Sequence, residues 1–172
     1  MTILAAFTFS GFSFAQSAED SVKAVINTLF TGMKNADPEM VNFVFADSMV
    51  LQTITRDKEG NSIIRNENAA NFIGQIKSMK PGAADERITF EVIKIDGPLA
   101  IVWTPYSFYF NGQFSHCGVN SFQLVRFKDG WKIQYLIDTR RKLGLPIKNP
   151  IPKNQDGVKP KPTAYEKLFL QL

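Results

Sequence analysis

An α+β fold, with helices first and an antiparallel sheet after them, is predicted by three observations on this chain. The pairs Asp96-Gly97, Asn111-Gly112 and Asp129-Gly130 each lie between runs rich in Val, Ile, Phe, Tyr and Trp. Asx-Gly supplies the positive φ angles of two-residue hairpin turns, so residues 86–142 read as four antiparallel strands in a meander. Ahead of them, Val22, Val25, Ile26, Leu29, Phe30 and Met33 recur at the spacing of one apolar helix face. The length of 172 residues suits one domain with a sizeable core, and 44% hydrophobic with 21% charged is a globular composition.

Each element has its own signal. Residues 1–18 carry no charged side chain, and an apolar run from Ile3 to Phe9 is followed by Ser13-Phe14-Ala15. This predicts a signal peptide over residues 1–15, cleaved after Ala15, hence export to the periplasm or beyond. The segment is too short, and too interrupted by Gly11, for a stable membrane span. Ser17 and Asp20 resemble a capping box at the start of the first helix. Asp37-Pro38 reads as an N-cap with proline in the first turn, opening a short second helix through Phe45. Residues 49–55 suit a strand, 56–61 a polar turn and 62–65 a return strand. A third helix over 68–79 turns Phe72, Ile73, Ile76 and Met79 inward, and Lys80-Pro81-Gly82 stops it. Beyond Lys142 the texture changes: residues 146–162 hold five of the nine prolines, with lysines between them. Residues 143–172 therefore read as an extended Pro/Lys-rich strap. It ends in a short helix presenting Tyr165, Leu168, Phe169 and Leu172, which must dock on something to persist.

The turns also imply a register. With two-residue loops, Ile95 faces Pro98, Phe110 faces Gln113 and Lys128 faces Trp131. One face then collects Ile88, Phe90, Val92, Leu99, Ile101, Trp103, Phe122, Leu124, Ile133, Tyr135 and Ile137, and the three helices are expected to cover it. The polar residues on that face gather toward one end: Ser107, His116, Asn120 and Thr139, beside Trp103 and Tyr109. Polar groups set among apolar ones satisfy one another or line a wet pocket, so these residues are the candidate ligand-binding set. Pro105 and Gly118 are strand interrupters, and a bulge there would rotate Asp138 and Arg140 relative to His116, which keeps Arg140 as a second-tier ligand contact and Asp138 as a second-tier catalytic candidate. Tyr106, Phe108 and Phe110 fall on the outer face and suggest a homodimer.

Charge and cysteine content narrow the chemistry. The formal charge of +4 comes mostly from the tail, since residues 19–142 carry only +1. With no basic stripe, nucleic acid is not an expected partner. A single cysteine forms no internal disulfide. His116 and Cys117 are the only His and Cys, and as strand neighbours they point to opposite faces. That disfavours a thiol–imidazole pair and a shared metal site. No phosphate loop or dinucleotide fingerprint appears, so no cofactor is expected.

Helices ahead of a bent sheet, with the segments Phe114-Ser115-His116-Cys117-Gly118-Val119, Phe122-Gln123-Leu124-Val125, Gly130-Trp131-Lys132-Ile133 and Asp138-Thr139-Arg140-Arg141, resemble the nuclear transport factor 2-like superfamily. More narrowly, they resemble its bacterial lumazine-binding and polyketide-cyclase-like branch. The similarity spans residues 18–142 of a domain placed at 16–142. It implies a cone-shaped α+β fold of three N-terminal helices packed on a strongly bent antiparallel sheet, a cavity between the two layers, and frequent homodimers. Function varies widely across that superfamily. The expected reading is an exported protein binding a small apolar or aromatic ligand without a cofactor. The alternatives are a cofactor-free isomerase, dehydratase or cyclase with His116 as general acid or base, and an interaction module whose cavity stays empty. Ketosteroid-isomerase relatives use a buried carboxylate, and in this register no Asp or Glu of the meander faces the pocket.

Overall fold

A computed structural model describes residues 17–142; the expected signal peptide and the 143–172 strap lie outside the described residues. Helix α1, Ala18–Asn35, starts where the Ser17 hydroxyl accepts the Asp20 N–H at 3.0 Å. Its apolar stripe buries Val22, Ile26, Leu29, Phe30 and Met33. Helix α2, Pro38–Val44, is capped by the Asp37 carboxylate, which accepts from the N–H groups of Glu39 and Met40 at 3.0 Å each. Helix α3, Ala69–Ser78, is capped by Asn68. Each cap satisfies donors that a helix N-terminus otherwise leaves orphaned, worth about 1 kcal/mol apiece.

The strands are β1 Phe45–Arg56, β2 Ser62–Glu67, β3 Ala84–Ile88, β4 Val92–Asp96, β5 Leu99–Phe110, β6 Gln113–Phe127 and β7 Gly130–Thr139. They form one seven-stranded sheet in the order β2-β1-β7-β6-β5-β3, with β4 also paired to β5. The meander is antiparallel, but β1 runs parallel to β7, so the sheet as a whole is mixed. No turn links β1 to β7, and local sequence therefore carried no sign of this pairing. The single strand expected over residues 86–95 is two. Ile88 pairs with Tyr106 and Val92 with Trp103, a slip that breaks the ladder between them.

The core lies between α1 and the sheet, where Phe30 meets Phe122 edge-on at 6.2 Å. Phe122, Leu124 and Ile133 are buried as expected, with Ile88 and Phe90 packed against them. In β5 the expectation is reversed. Leu99, Ile101 and Trp103 are 43–45% exposed, and Ala100, Val102 and Thr104 are buried in their place. The cause is an extra residue. Asn111-Gly112 makes the turn with both φ angles positive, and Phe110 opposes Gln113, but Phe108 then opposes His116, leaving Ser115 unpaired. Because strand side chains alternate with period two, one inserted residue inverts every later pairing of β5 with β6. A second irregularity at Gln134 buries Leu136 where Tyr135 and Ile137 were expected. The other two turns sit one residue away from their Asx-Gly pairs, with Asp96 opposite Leu99 and Phe127 opposite Gly130. The same inversion turns Tyr106 and Phe108 inward, leaving Phe110 exposed and removing the aromatic cluster expected on the outer face.

Gly118 is where β6 must be bare. Tyr106 lies opposite it and reaches across to β7, and a Cβ on Gly118 would collide with the Thr139 carbonyl and touch the Tyr106 ring. Backbone cannot yield there as a flexible side chain would. Gly118→Ala is therefore expected to cost more than about 3 kcal/mol, read as the shift in urea midpoint; a loss under about 1 kcal/mol would show that Tyr106 does not need the gap.

Candidate functional site

A row of polar residues crosses the inner face of the sheet. Thr104, Asn120, Asp138, Thr53 and Arg65 are successive cross-strand partners on β5, β6, β7, β1 and β2. Above this row lies a cavity of about 550 Å³, the size of a small-molecule site. Its lining is mixed: Leu29, Phe30 and Met33 from α1, Phe72 and Ile76 from α3, and Leu51, Phe108 and Leu136 from the sheet supply apolar surface, and Thr53, Arg65, Asn66 and Glu67 of β1 and β2 supply polar surface. Glu86, Tyr106, His116, Asn120, Asp138 and Arg140 gather at one end, while Asn68, Asn71 and Gln75 of the α3 region contribute amides.

Asp138 is the hub of that polar end. One carboxylate oxygen accepts the Thr53 hydroxyl at 2.6 Å; the other accepts Tyr106 Oη at 3.1 Å and Arg140 Nε at 2.8 Å. Arg140 also donates to Thr53 Oγ1 at 3.2 Å, closing the network. A buried carboxylate is tolerated when its lone pairs are met in this way. Tyr106 also donates to the Thr139 carbonyl at 2.9 Å. Burial, reinforced by the charges of Asp138 and Glu86, drives its hydroxyl well above the ordinary tyrosine range, so it serves as a donor.

Glu86 is placed differently. Its Oε1 accepts Asn120 Nδ2 at 2.8 Å, and among the described residues no cation pairs with it, Arg140 being engaged by Asp138. Burial and the nearby Asp138 charge push its carboxyl up to about 7, against the opposing pull of Asn120 and Arg140. His116 sits with its ring 5.0 Å from Phe108 and 5.7 Å from Tyr106, and its Nδ1 meets Ser115 Oγ at 3.1 Å. Burial, then the Arg140 charge, lower the pKa of its imidazole, favouring the neutral ring. The polar end thus holds a carboxyl that keeps its proton unusually long and an imidazole that gives its proton up early, the pattern by which a site separates acid from base. Among the described residues no group of three His, Cys, Asp or Glu side chains is arranged to hold a metal ion.

No protein-family model and no curated protein matches the chain. Solved structures do. An NTF2-like protein of unknown function from Shewanella oneidensis is 13% identical, with a TM-score of 0.57 over 72% of this chain and 99% of that one. One from Methylobacillus flagellatus is 16% identical, with a TM-score of 0.56 over 76% and 99%. A domain of unknown function with a cystatin-like fold from Nostoc punctiforme is 16% identical, with a TM-score of 0.56 over 90% and 83%. The chain has the nuclear transport factor 2-like fold.

Within this NTF2-like fold the sequence-predicted residues divide. His116, Asn120, Asp138 and Arg140 line the cavity together. Trp103 and Tyr109 do not: the Ser115 bulge turns Trp103 to the outer surface, and Tyr109 packs on Phe114 with Arg87 over its ring at 4.1 Å. Ser107 is buried on the opposite face of β5, its hydroxyl without a partner among the described residues. Thr139 acts behind the cavity wall, where its Oγ1 accepts the Val119 N–H at 3.2 Å. The expectation that no meander carboxylate faces the pocket is overturned, since Glu86 and Asp138 both do. Glu86 shares the strand parity of Ile88 and Phe90, which was the available signal. Thr53 and Tyr106 had none, because their roles follow from the β1–β7 pairing and the inversion of β5.

The raised Glu86 pKa has a stability consequence. Between the ordinary value of 4.5 and about 7 the native state holds a proton that the unfolded chain has lost, so stability falls as pH rises through that window. Glu86→Gln cannot titrate. It is expected to gain on the order of 1–3 kcal/mol over the native protein between pH 4.5 and pH 8, measured by urea unfolding at both values; parallel pH profiles would exclude an elevated Glu86.

Proposed function

We propose that this is an exported protein that binds a small, mostly apolar or aromatic molecule in the cone, without a cofactor. The observation that carries the reading is the cavity of about 550 Å³, in which an apolar surface from Leu29, Phe30, Met33, Phe72, Phe108 and Leu136 lies between two polar groups of residues, one around Asp138 and one along β2 and α3. Export is supported by the uncharged leading residues 1–18 with small residues near Ala15. The His-Cys-Gly and Asp-Thr-Arg-Arg segments support the lumazine-binding and polyketide-cyclase-like branch of the superfamily. A second reading, a cofactor-free isomerase, dehydratase or cyclase, is favoured by one observation: Glu86 and His116 are tuned in opposite directions at the same end of the cavity.

The protein purified from its own host should carry a small molecule detectable by native mass spectrometry. In His116→Ala and Asn120→Ala, ligand retention should fall by about tenfold or more, while His116→Ala loses under about 1 kcal/mol of stability, because among the described residues its ring hydrogen-bonds only the exposed Ser115 hydroxyl. Unchanged retention with a large drop in melting temperature would return both residues to a structural role.

The homodimer is also proposed, through a corrected surface. Leu99, Ile101 and Trp103 of β5, with Val92 of β4, leave an apolar strip on the outer face. The chain truncated after Lys142 should sediment as a dimer, and replacing Ile101 and Trp103 by Lys should make it monomeric. A truncated protein that is monomeric before those replacements would remove the sheet face as the interface.

A further inference from the structure

At the hairpin end of β5 and β6 the outer face of the sheet is buried, although no described element packs over it. Ser107, Cys117 and Val119 point away from the helices, yet they are only 6%, 0% and 7% exposed. Farther along the same strands, on the same face, Leu99, Ile101 and Trp103 are 43–45% exposed. The helices are not the cover, because the buried residues of α1, α2 and α3 join the core on the inner face. Nor are the flanking side chains. Arg87, Ser107, Cys117 and Arg141 are successive cross-strand partners, but the Arg87 guanidinium is held by Asp85 and lies over the Tyr109 ring, and Arg141 is exposed.

The path of the chain points to the occupant. Arg141 and Cys117 exchange both backbone hydrogen bonds, at 2.8 and 3.0 Å, so the chain leaves the described domain one strand-width, about 4.8 Å, from Cys117. The residues that follow are Leu143-Gly144-Leu145-Pro146-Ile147, apolar at every second position, with a glycine and a proline that suit a change of direction. They carry no charge, as a patch flanked by Arg87 and Arg141 requires. At about 3.3 Å per extended residue, residues 143–147 reach about 16 Å, enough to cross both β6 and β5. The Ser107 hydroxyl on this patch has no partner among the described residues, and a segment lying over it brings backbone polar groups within its reach.

We infer that residues 143–147 fold back over the outer face of β6 and β5 and seat Leu143, Leu145 and Ile147 on Ser107, Cys117 and Val119. The inference is independent of what the cone binds. It also leaves the proposed dimer strip open, since Leu99, Ile101 and Trp103 lie toward the other end of β5. Its consequence is chemical. Cys117 is the only thiol of the chain, and in an oxidising compartment an uncovered single thiol couples two copies through a disulfide; the strap withholds it from that exchange.

The test reads the Cys117 thiol in the full chain with Ellman's reagent, at urea concentrations well below the unfolding transition. The native thiol should react at least about 100-fold more slowly than in the unfolded chain. Replacing Leu143, Leu145 and Ile147 together by Ser should speed the reaction about tenfold or more, by an amount that does not grow with urea, the mark of local uncovering rather than whole-chain unfolding. A native thiol within about tenfold of the unfolded rate, an unchanged rate in the triple variant, or a rise that grows with urea would each overturn the inference. A second measurement fixes the occupant. With Leu143→Cys, Leu145→Cys and Ile147→Cys made one at a time, oxidised glutathione should close a disulfide to Cys117 within one chain in at least one of them, read by peptide mapping. A disulfide between two chains in its place would assign the patch to a second copy, and no disulfide in any of the three would remove residues 143–147 as its cover.

Discussion

Ser115, one unpaired residue in β6, decides which half of β5 faces the helices. Without it, Ile101 and Trp103 would point at α1, and Tyr106 and Phe108 would point at solvent. With it, Val102 closes the core beside Phe122, and the two aromatic residues enter the cavity. The effect is large for a local change because register in a strand is binary: a side chain faces one side or the other. The bulge sits next to the hairpin turn and directly before His116, so the same irregularity that sets the packing also aims the imidazole.

Given that register, the polar end is organised around Asp138. Tyr106 reaches it only because Gly118 leaves a gap in β6, and Thr53 reaches it only because β1 pairs alongside β7. Two hydroxyls and a guanidinium hold this carboxylate in place. Glu86, lying close by, receives a single amide bond and, among the described residues, no cation. The two carboxyl groups thus share one neighbourhood and differ in chemistry: one is a fixed acceptor that supports the site, the other keeps its proton near neutrality and is turned to the cavity. This division of labour underlies both the binding and the proton-transfer readings.

The helical half was legible because its signals are local. Ser17, Asp37 and Asn68 each cap the helix that follows, and the apolar stripe of α1 lies against the sheet. The hairpin at Asn111-Gly112 was equally legible, since both residues take the positive φ that Asx-Gly favours. His116 and Asn120 stood out as polar residues among apolar neighbours, and they remain in the cavity because the bulge precedes them both in β6. Trp103 was misplaced for the converse reason: it lies on β5, whose two faces are both apolar, so patterning had no preference between Ile101 and Val102.

What the sequence by itself determined is the set of elements, their order, their caps and the identity of most polar residues at the site, because these depend on contacts within a few residues. What only the tertiary structure decided is which face of β5 turns inward, the parallel pairing of β1 with β7, and the placing of Glu86 beside Asn120 with Arg140 already engaged by Asp138. The last two depend on residues more than thirty positions apart, Thr53 with Asp138 and Glu86 with Asn120, which come together only once the sheet has closed over the helices, and the first depends on a bulge at Ser115 that Asx-Gly turn chemistry does not announce. Proton affinity at Glu86 is such a property: it follows from which charges the fold places around the carboxyl and which it has already paired elsewhere.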